Sequence, residues 1–317
     1  MFSGCSSKKV FEPKIVKDEW SRYGDRNLSI IDVGSNLALL EDRTVLTKDG
    51  IVNIKIDDTQ RVISDSDGWI ISSQIDGNLT LSSKESSKEI VFELKKTIAT
   101  ASVKDNNLAV LFADNEMALY NIQTKETILK EQGSKSLAVD ARIVAPYFMN
   151  GLVVYSTLDG KVIIVNIQLK KRLRTIIVSS KNTFNNIIYF NIIDNKIIAA
   201  TNTTILSISS KETRVKYEIR NIIYDNENIF ITTKQGEVIS LNSNLDLNTK
   251  TKFPFAHFLA MIADEDKLYL LEKEGYMIVL DKKDMTQYSV YNVNIEEDYL
   301  FIGDKVFYID DEYISIK

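Results

Sequence analysis

Residues 150–166, reading NGLVVYSTLDGKVIIVN, spell out one complete β-hairpin, and variants of it recur along most of the chain. Leu152, Val153, Val154 and Tyr155 form a β-branched and aromatic run, Asp159-Gly160 supplies the positive-φ positions of a tight turn, and residues 162–165 form the return strand. One hairpin alone leaves its apolar faces in water, so the chain has to stack copies. The copies centre on residues 44–56, 69–81, 108–122, 152–167, 197–208, 229–241, 268–280 and 299–309. Apart from the first pair, these copies are spaced about 31 to 45 residues apart, and such a period with several short strands per copy is the signature of a β-propeller. The expected fold is all-β: a single propeller of four-stranded antiparallel blades, with eight blades favoured over seven.

Turn chemistry marks the same units. Gly50, Gly77, Gly160, Gly236 and Gly275 sit between paired apolar runs, and Asn115 and Asp304 take comparable places elsewhere, since both residue types settle a turn locally. Asp105-Asn106-Asn107, Asp194-Asn195, Asp225-Asn226 and Asp264-Glu265-Asp266 precede second strands and read as Asx turns rather than metal ligands. Asp65-Ser66-Asp67-Gly68 resembles a fragment of a calcium loop but lacks the downstream bidentate carboxylate, so no metal is expected. Helical periodicity is almost absent, because segments such as 176–178 and 187–193 are too β-branched and too short to compete with strands. Val10 to Arg26 carry Trp20 and Tyr23 without strand alternation and read as a leader that packs on the ring or wanders, so residues 1–27 are taken together as a lipoprotein-like N-terminus and leader or tether. Residues 28–317 read as the propeller domain.

Composition narrows the function classes. A formal charge of −5 without basic blocks argues against a phosphate-backbone partner, so nucleic acid is not expected. One cysteine, Cys5, and one histidine, His257, exclude an intrachain disulfide and a structural zinc site. Past the first residues no apolar run approaches the roughly 18 to 20 residues of a membrane-spanning helix. A hydrolase triad would need His257 as its base. That residue lies in the aromatic run Phe253-Pro254-Phe255-Ala256-His257-Phe258, where a lone histidine belongs to the core or a turn, and no Gly-x-Ser-x-Gly elbow occurs. No catalytic residue is therefore assigned. The alternative is a carbohydrate-binding or hydrolytic propeller with a central acidic pocket, but the 44 acidic residues cluster in turns with Asn and Lys, as solvated loops do.

Three further features are candidates for surface roles. The basic run Lys170-Lys171-Arg172-Leu173-Arg174 reads as a link between strands that keeps an edge soluble, or that meets anionic headgroups or an acidic partner. Asp25-Arg26-Asn27-Leu28-Ser29 and Asp76-Gly77-Asn78-Leu79-Thr80 match the acidic-extended acceptor of bacterial N-glycosylation, which makes Asn27 and Asn78 candidate modification sites. Phe2-Ser3-Gly4-Cys5-Ser6-Ser7-Lys8-Lys9 resembles the end of a bacterial lipoprotein signal, where small residues precede a lipidated cysteine. That resemblance implies a lipid on Cys5, a polar tether after it, and sorting to the outer membrane because Ser6 follows. A diacylglycerol thioether plus an acyl amide buries enough CH₂ groups, at about 0.8 kcal/mol each, to hold a soluble domain at a bilayer.

The stretch Ala145-Pro146-Tyr147-Phe148-Met149-Asn150-Gly151, running into the hairpin 152–162, resembles the repeat of pyrroloquinoline-quinone-like propellers. There a Ser or Ala and a Pro precede a strand, Asp-Gly, strand unit. Together with Cys5, the chain is similar to the BamB family, eight-bladed lipoproteins of the machine that assembles outer-membrane β-barrels. The resemblance implies a non-catalytic scaffold on the periplasmic face of the outer membrane, in an envelope protein complex that includes the barrel-assembly subunit. A scaffold of another envelope machine, such as a motor or secretion apparatus, is the remaining alternative. Only Trp20 and Trp69 are present, so the tryptophan docking of quinoprotein repeats is missing, and neither a cofactor nor a small-molecule substrate is expected. In BamB proteins the segment before the matching Pro offers a Leu-x-Leu-Arg surface to the barrel-assembly subunit. Here that segment reads Leu137-Ala138-Val139-Asp140-Ala141-Arg142, so Leu137, Val139 and Arg142 are the candidate partner contacts.

Overall fold

The computed structural model describes residues 9–181, 183–295 and 299–317. It contains eight four-stranded antiparallel sheets, the blades of an eight-bladed propeller. The first strands of the blades are Ile30–Val33, Arg61–Ser66, Ile98–Lys104, Tyr147–Met149, Tyr189–Ile193, Ile219–Tyr224, Phe258–Asp264 and Leu300–Ile302. Neighbouring first strands lie against one another around the axis, and the fourth strands lie at the rim.

Why the middle strands read as continuous apolar runs follows from this stacking. A blade is covered on both faces, so alternate residues serve different neighbours. In the second strand of blade 3, Asn107–Phe112, residues Leu108, Val110 and Phe112 pack toward blade 2, while Ala109 and Leu111 pack toward blade 4. The buried apolar residues fall into eight clusters, each bridging two adjacent blades, including one of Ile30, Ala38, Leu40, Leu46 and Phe301 between blades 8 and 1. Side chains add hydrogen bonds from one blade to the next near the axis. The Val62 amide donates to Asp32 Oδ2 at 3.0 Å, Ser64 Oγ to the Ala101 carbonyl at 2.6 Å, and Asn221 Nδ2 to the Phe258 carbonyl at 3.2 Å.

The ring is closed by the segment expected as a leader. Tyr23–Asp25 pairs with Glu312–Ser315, so the N-terminal strand becomes the outer strand of blade 8. Ahead of it the chain clings to blade 7. The amides of Lys17 and Trp20 donate to the carbonyls of Val290 and Asn292 at 2.9 and 2.8 Å, and Glu19 bridges Asn292 in parallel. Trp20 stands edge-on to Tyr291 and Tyr269, with its indole N–H on the Ser315 carbonyl at 2.9 Å.

Two of the eight units read from sequence are displaced by one strand. Residues 44–56 hold the third and fourth strands of blade 1, and residues 299–309 the first and second of blade 8. The other six fall on the second and third strands. The glycine misleads in blade 1: Gly50 opens the fourth strand, while the turn between second and third strands places Arg43 at φ 69°. Asp304 likewise lies between first and second strands, and Asp310 at φ 49° holds the equivalent turn. The basic run is not a link: Lys171–Ile177 is the exposed fourth strand of blade 4, with Arg172 near Glu131 at 3.4 Å.

Candidate functional site

Pairing between first and second strands skips one residue in blades 1, 2, 3, 6 and 7, leaving Ile31, Ile63, Ala99, Arg220 and Leu259 as bulged residues. A bulge frees one residue from the ladder and re-aims its side chain. Four of these positions are apolar. Blade 6 places a guanidinium there instead.

The connection from blade 3 to blade 4, residues 133–146, runs over the end of the ring where Arg220 emerges. Its end is held by blade 3, where Ser102 Oγ donates to the Pro146 carbonyl at 2.5 Å, and its middle touches distant blades: Ser35 Oγ of blade 1 donates to the Ile143 carbonyl at 3.4 Å, and Arg142 Nη1 to the Arg220 carbonyl of blade 6. A loop that leaves between blades 3 and 4 and reaches both blade 1 and blade 6 lies across the channel mouth. Along it the residues alternate. Lys135, Leu137, Val139 and Ala141 are exposed, and Ser136, Ala138, Asp140 and Arg142 turn inward.

The inward set is a hydrogen-bonded chain. Arg142 Nε and Nη2 meet the two Asp140 oxygens at 2.8 and 2.6 Å, the fork geometry that makes arginine–carboxylate pairs strong. Fully buried Asn186 accepts from the Asp140 amide at 2.7 Å and donates to the carbonyls of Asp140 and Arg142 at 3.1 and 2.9 Å. Arg220 Nη1 lies 2.6 Å from His257 Nε2. A guanidinium can only donate, so Nε2 accepts and the proton of the neutral ring sits on Nδ1. The His257 amide then donates to Glu272 Oε1 at 2.8 Å.

Burial alone would raise the Asp140 carboxyl, but the hydrogen bonds from the Arg142 side chain and amide reverse this and hold it below the usual range. Burial lowers Arg220, and the Arg142 charge adds to the effect. Burial pushes Glu272 up, against the pull of the His257 and Glu274 amides. The arrangement fixes the loop, and both carboxylates accept hydrogen bonds from protein donors.

The sequence-derived candidates distribute as follows. Leu137 and Val139 are 82% and 38% exposed at the loop surface, whereas Arg142 faces inward to Asp140 and blade 6. Asn27 is exposed at φ 60°. Asn78 begins a strand, half-buried, with its amide on Gln74 and Asp76 at 2.9 and 3.1 Å. Asp65 and Asp67 of the calcium-like fragment are engaged by Lys84 and Lys104 at 2.7 and 2.8 Å. Cys5 lies outside the described residues. Asn186 and Arg220 were not singled out from sequence; the one signal for Arg220 is a charge at the start of a strand whose counterparts are apolar, visible only after the blades are aligned.

No protein-family model matches the chain. It is 29% and 28% identical, over alignments 337 and 338 positions long, to the plasminogen-binding protein PgbB of two Helicobacter pylori strains. Each alignment covers 92% of this chain and 62% of the relative, so the chain spans about 62% of the length of the curated relatives it matches. Among solved structures, BamB from Moraxella catarrhalis superposes with a TM-score of 0.69 at 11% identity, covering 92% of this chain and 97% of that one. The C-terminal WD40 domain of Sif2 gives 0.65 at 12%, covering 96% and 99%. At such identities the likeness is one of fold, and in fold the chain is a BamB-like, WD40-like eight-bladed propeller.

Proposed function

We propose that this chain is a non-catalytic protein-interaction propeller of the bacterial envelope, and that it offers the loop-capped face to its partner. The observation that carries the reading is the loop 133–146. Leu137 and Val139 stand outward on a backbone pinned from beneath by Asn186 and the Asp140–Arg142 fork. A pre-ordered apolar pair loses little conformational freedom on binding. The fold shared with BamB and the similarity to a protein named for binding plasminogen both support a binding role.

In its specific form, the proposal places a lipid on Cys5, the disc on the periplasmic face of the outer membrane, and the barrel-assembly subunit against Leu137 and Val139, with Arg142 holding the loop from beneath. Asn27 is the better exposed of the two glycan acceptors. The similarity to PgbB favours a second reading, a surface-displayed propeller that binds plasminogen. Photo-crosslinkers at positions 137 and 139 in intact cells separate the two. Recovery of the barrel-assembly subunit supports the first, and binding of purified plasminogen to the isolated chain supports the second. Leu137→Asp with Val139→Asp should weaken the true partner by about 2 kcal/mol or more, roughly 30-fold, with the thermal midpoint unchanged. Full affinity in that variant would remove this face from consideration.

A further inference from the structure

A cleft of about 1060 Å³ opens between the N-terminal segment and the junction of blades 6 and 7. Phe11 is buried and stands edge-on to Phe253 at 6.0 Å and Tyr276 at 5.7 Å, and the Lys17 amide is bonded to the Val290 carbonyl. The segment between these two fixed points forms one wall. The other is aromatic. Phe253 packs at 5.0 Å against Tyr288, which is 52% exposed, and Phe255 is 56% exposed at φ 67°.

Around this apolar floor the charge is one-sided. Lys9, Lys14, Lys17 and Lys252 line the cleft, and Glu12 is the one acid among its lining residues. Lys9 Nζ lies 5.4 Å from the Phe255 ring centre. Across the chain as a whole the balance is −5, so this corner runs against the overall sign. Lysines beside exposed aromatic rings are what a protein places at the boundary between anionic headgroups and acyl chains. Lys9 is also four residues from Cys5, a reach of at most about 14 Å of extended chain.

We propose that this cleft binds an anionic phospholipid of the bilayer, with its phosphate on the lysines and its glycerol and upper acyl segment against Phe253, Phe255 and Tyr288. The proposal deepens the envelope reading. Lipid on Cys5 tethers the disc, and the cleft sets which rim meets the membrane. Because the thioether lipid would mask the effect, the test uses the 317-residue chain carrying Cys5→Ser, floated with vesicles.

Binding is expected to vesicles of phosphatidylglycerol and phosphatidylethanolamine, to weaken with salt, and to be lost on pure phosphatidylcholine. Each lysine near the surface is worth about fivefold in partitioning, so Lys14→Ala with Lys252→Ala should lower it about 25-fold. Phe255→Gly, which also suits the left-handed backbone there, should lower it further at constant charge. Equal binding to phosphatidylcholine would overturn the proposal, as would full binding by the double lysine variant, or displacement from vesicles by millimolar inorganic phosphate, which would reveal a simple anion site. Mass measurement of the N-terminal peptide from the native chain tests the lipid on Cys5 separately. Its failure would leave the vesicle result standing.

Discussion

At the scale of single residues, two glycines with nearly the same backbone angle should respond very differently to alanine. Gly160 and Gly68 lie at φ 81° and 82°. A Cβ on Gly160 would meet Asn185 Nδ2 at 2.2 Å and the Ser179 carbonyl at 2.6 Å, whereas one on Gly68 meets nothing within 4 Å. Gly68→Ala should cost about 1 kcal/mol for the left-handed backbone, and Gly160→Ala about 2 to 4 kcal/mol once the clash is added. Urea midpoints measure both, and equal losses would refute the crowding argument. The charged turns give a second expectation. Asp42 is held down to about 2, first by the Thr44 hydroxyl and then by Lys55, and Asp281 to about 2, first by the Asp284 amide and then by Lys267. A depressed carboxyl stabilises the fold above its unfolded pKa and loses that contribution as pH falls through the folded value. The urea midpoint should therefore drop between about pH 4 and pH 2, and Asp42→Asn should flatten part of the slope. Other turns of this kind are legible in sequence because an Asx turn is a local event: Asp105, Asp194 and Asn226 adopt φ 51°, 49° and 75° where the Asp and Asn pairs announce turns.

At the scale of elements, the informative case is the junction of blades 6 and 7. Asp225, in the first turn of blade 6, meets Lys282, after the third strand of blade 7, at 2.6 Å, with side chains only 4% and 13% exposed. Removing one partner strands the other, so Asp225→Ala should destabilise by about 3 kcal/mol, while Asp225→Ala with Lys282→Met should recover most of the loss. A double-mutant cycle by chemical denaturation measures the coupling; additive losses would mean that the pair does not hold the blades together. The N-terminal segment offers a parallel case. Trp20→Ala should cost about 2 kcal/mol, below the range for a fully buried ring, and raise proteolysis ahead of residue 22. Neither element was readable from the chain. Asp225 was rightly read as a turn residue, but its partner lies 57 positions away. Val10 to Arg26 shows no strand alternation because most of the segment lies along other blades, held at Phe11, Lys17 and Trp20, and its one strand, Tyr23–Asp25, is only three residues long.

At the scale of the molecule, the fold depends on closing a circle. Glu312–Ser315 pairs with Val306–Ile309 on one side and with Tyr23–Asp25 on the other, so one short strand joins the two ends of the chain. An open ring would expose the apolar faces of blades 1 and 8 and leave sheet edges free to aggregate. Deleting residues 312–317 should abolish the single cooperative transition expected of the closed ring and give an aggregating product. Calorimetry and light scattering would show this, and a truncated chain that still melted in one step as a monomer would contradict it. The same closure gives a rigid disc with loops at both ends, on which residues 133–146 can be held across the channel mouth as a binding surface.

Local chemistry in the sequence determined most of the strands and turns and favoured eight blades over seven, because each hairpin carries its own apolar runs and most carry a positive-φ turn residue, and neither needs a distant partner. Tertiary structure decided what that chemistry could not reach. It made Tyr23–Asp25 the closing strand, turned Arg142 inward while leaving Leu137 and Val139 outside, and used a bulge to aim Arg220 at the channel mouth. Each of these depends on where blades far apart in the chain come to stand. Inter-blade contacts of that kind are set by the packing of whole sheets around an axis, and no short run of residues encodes them.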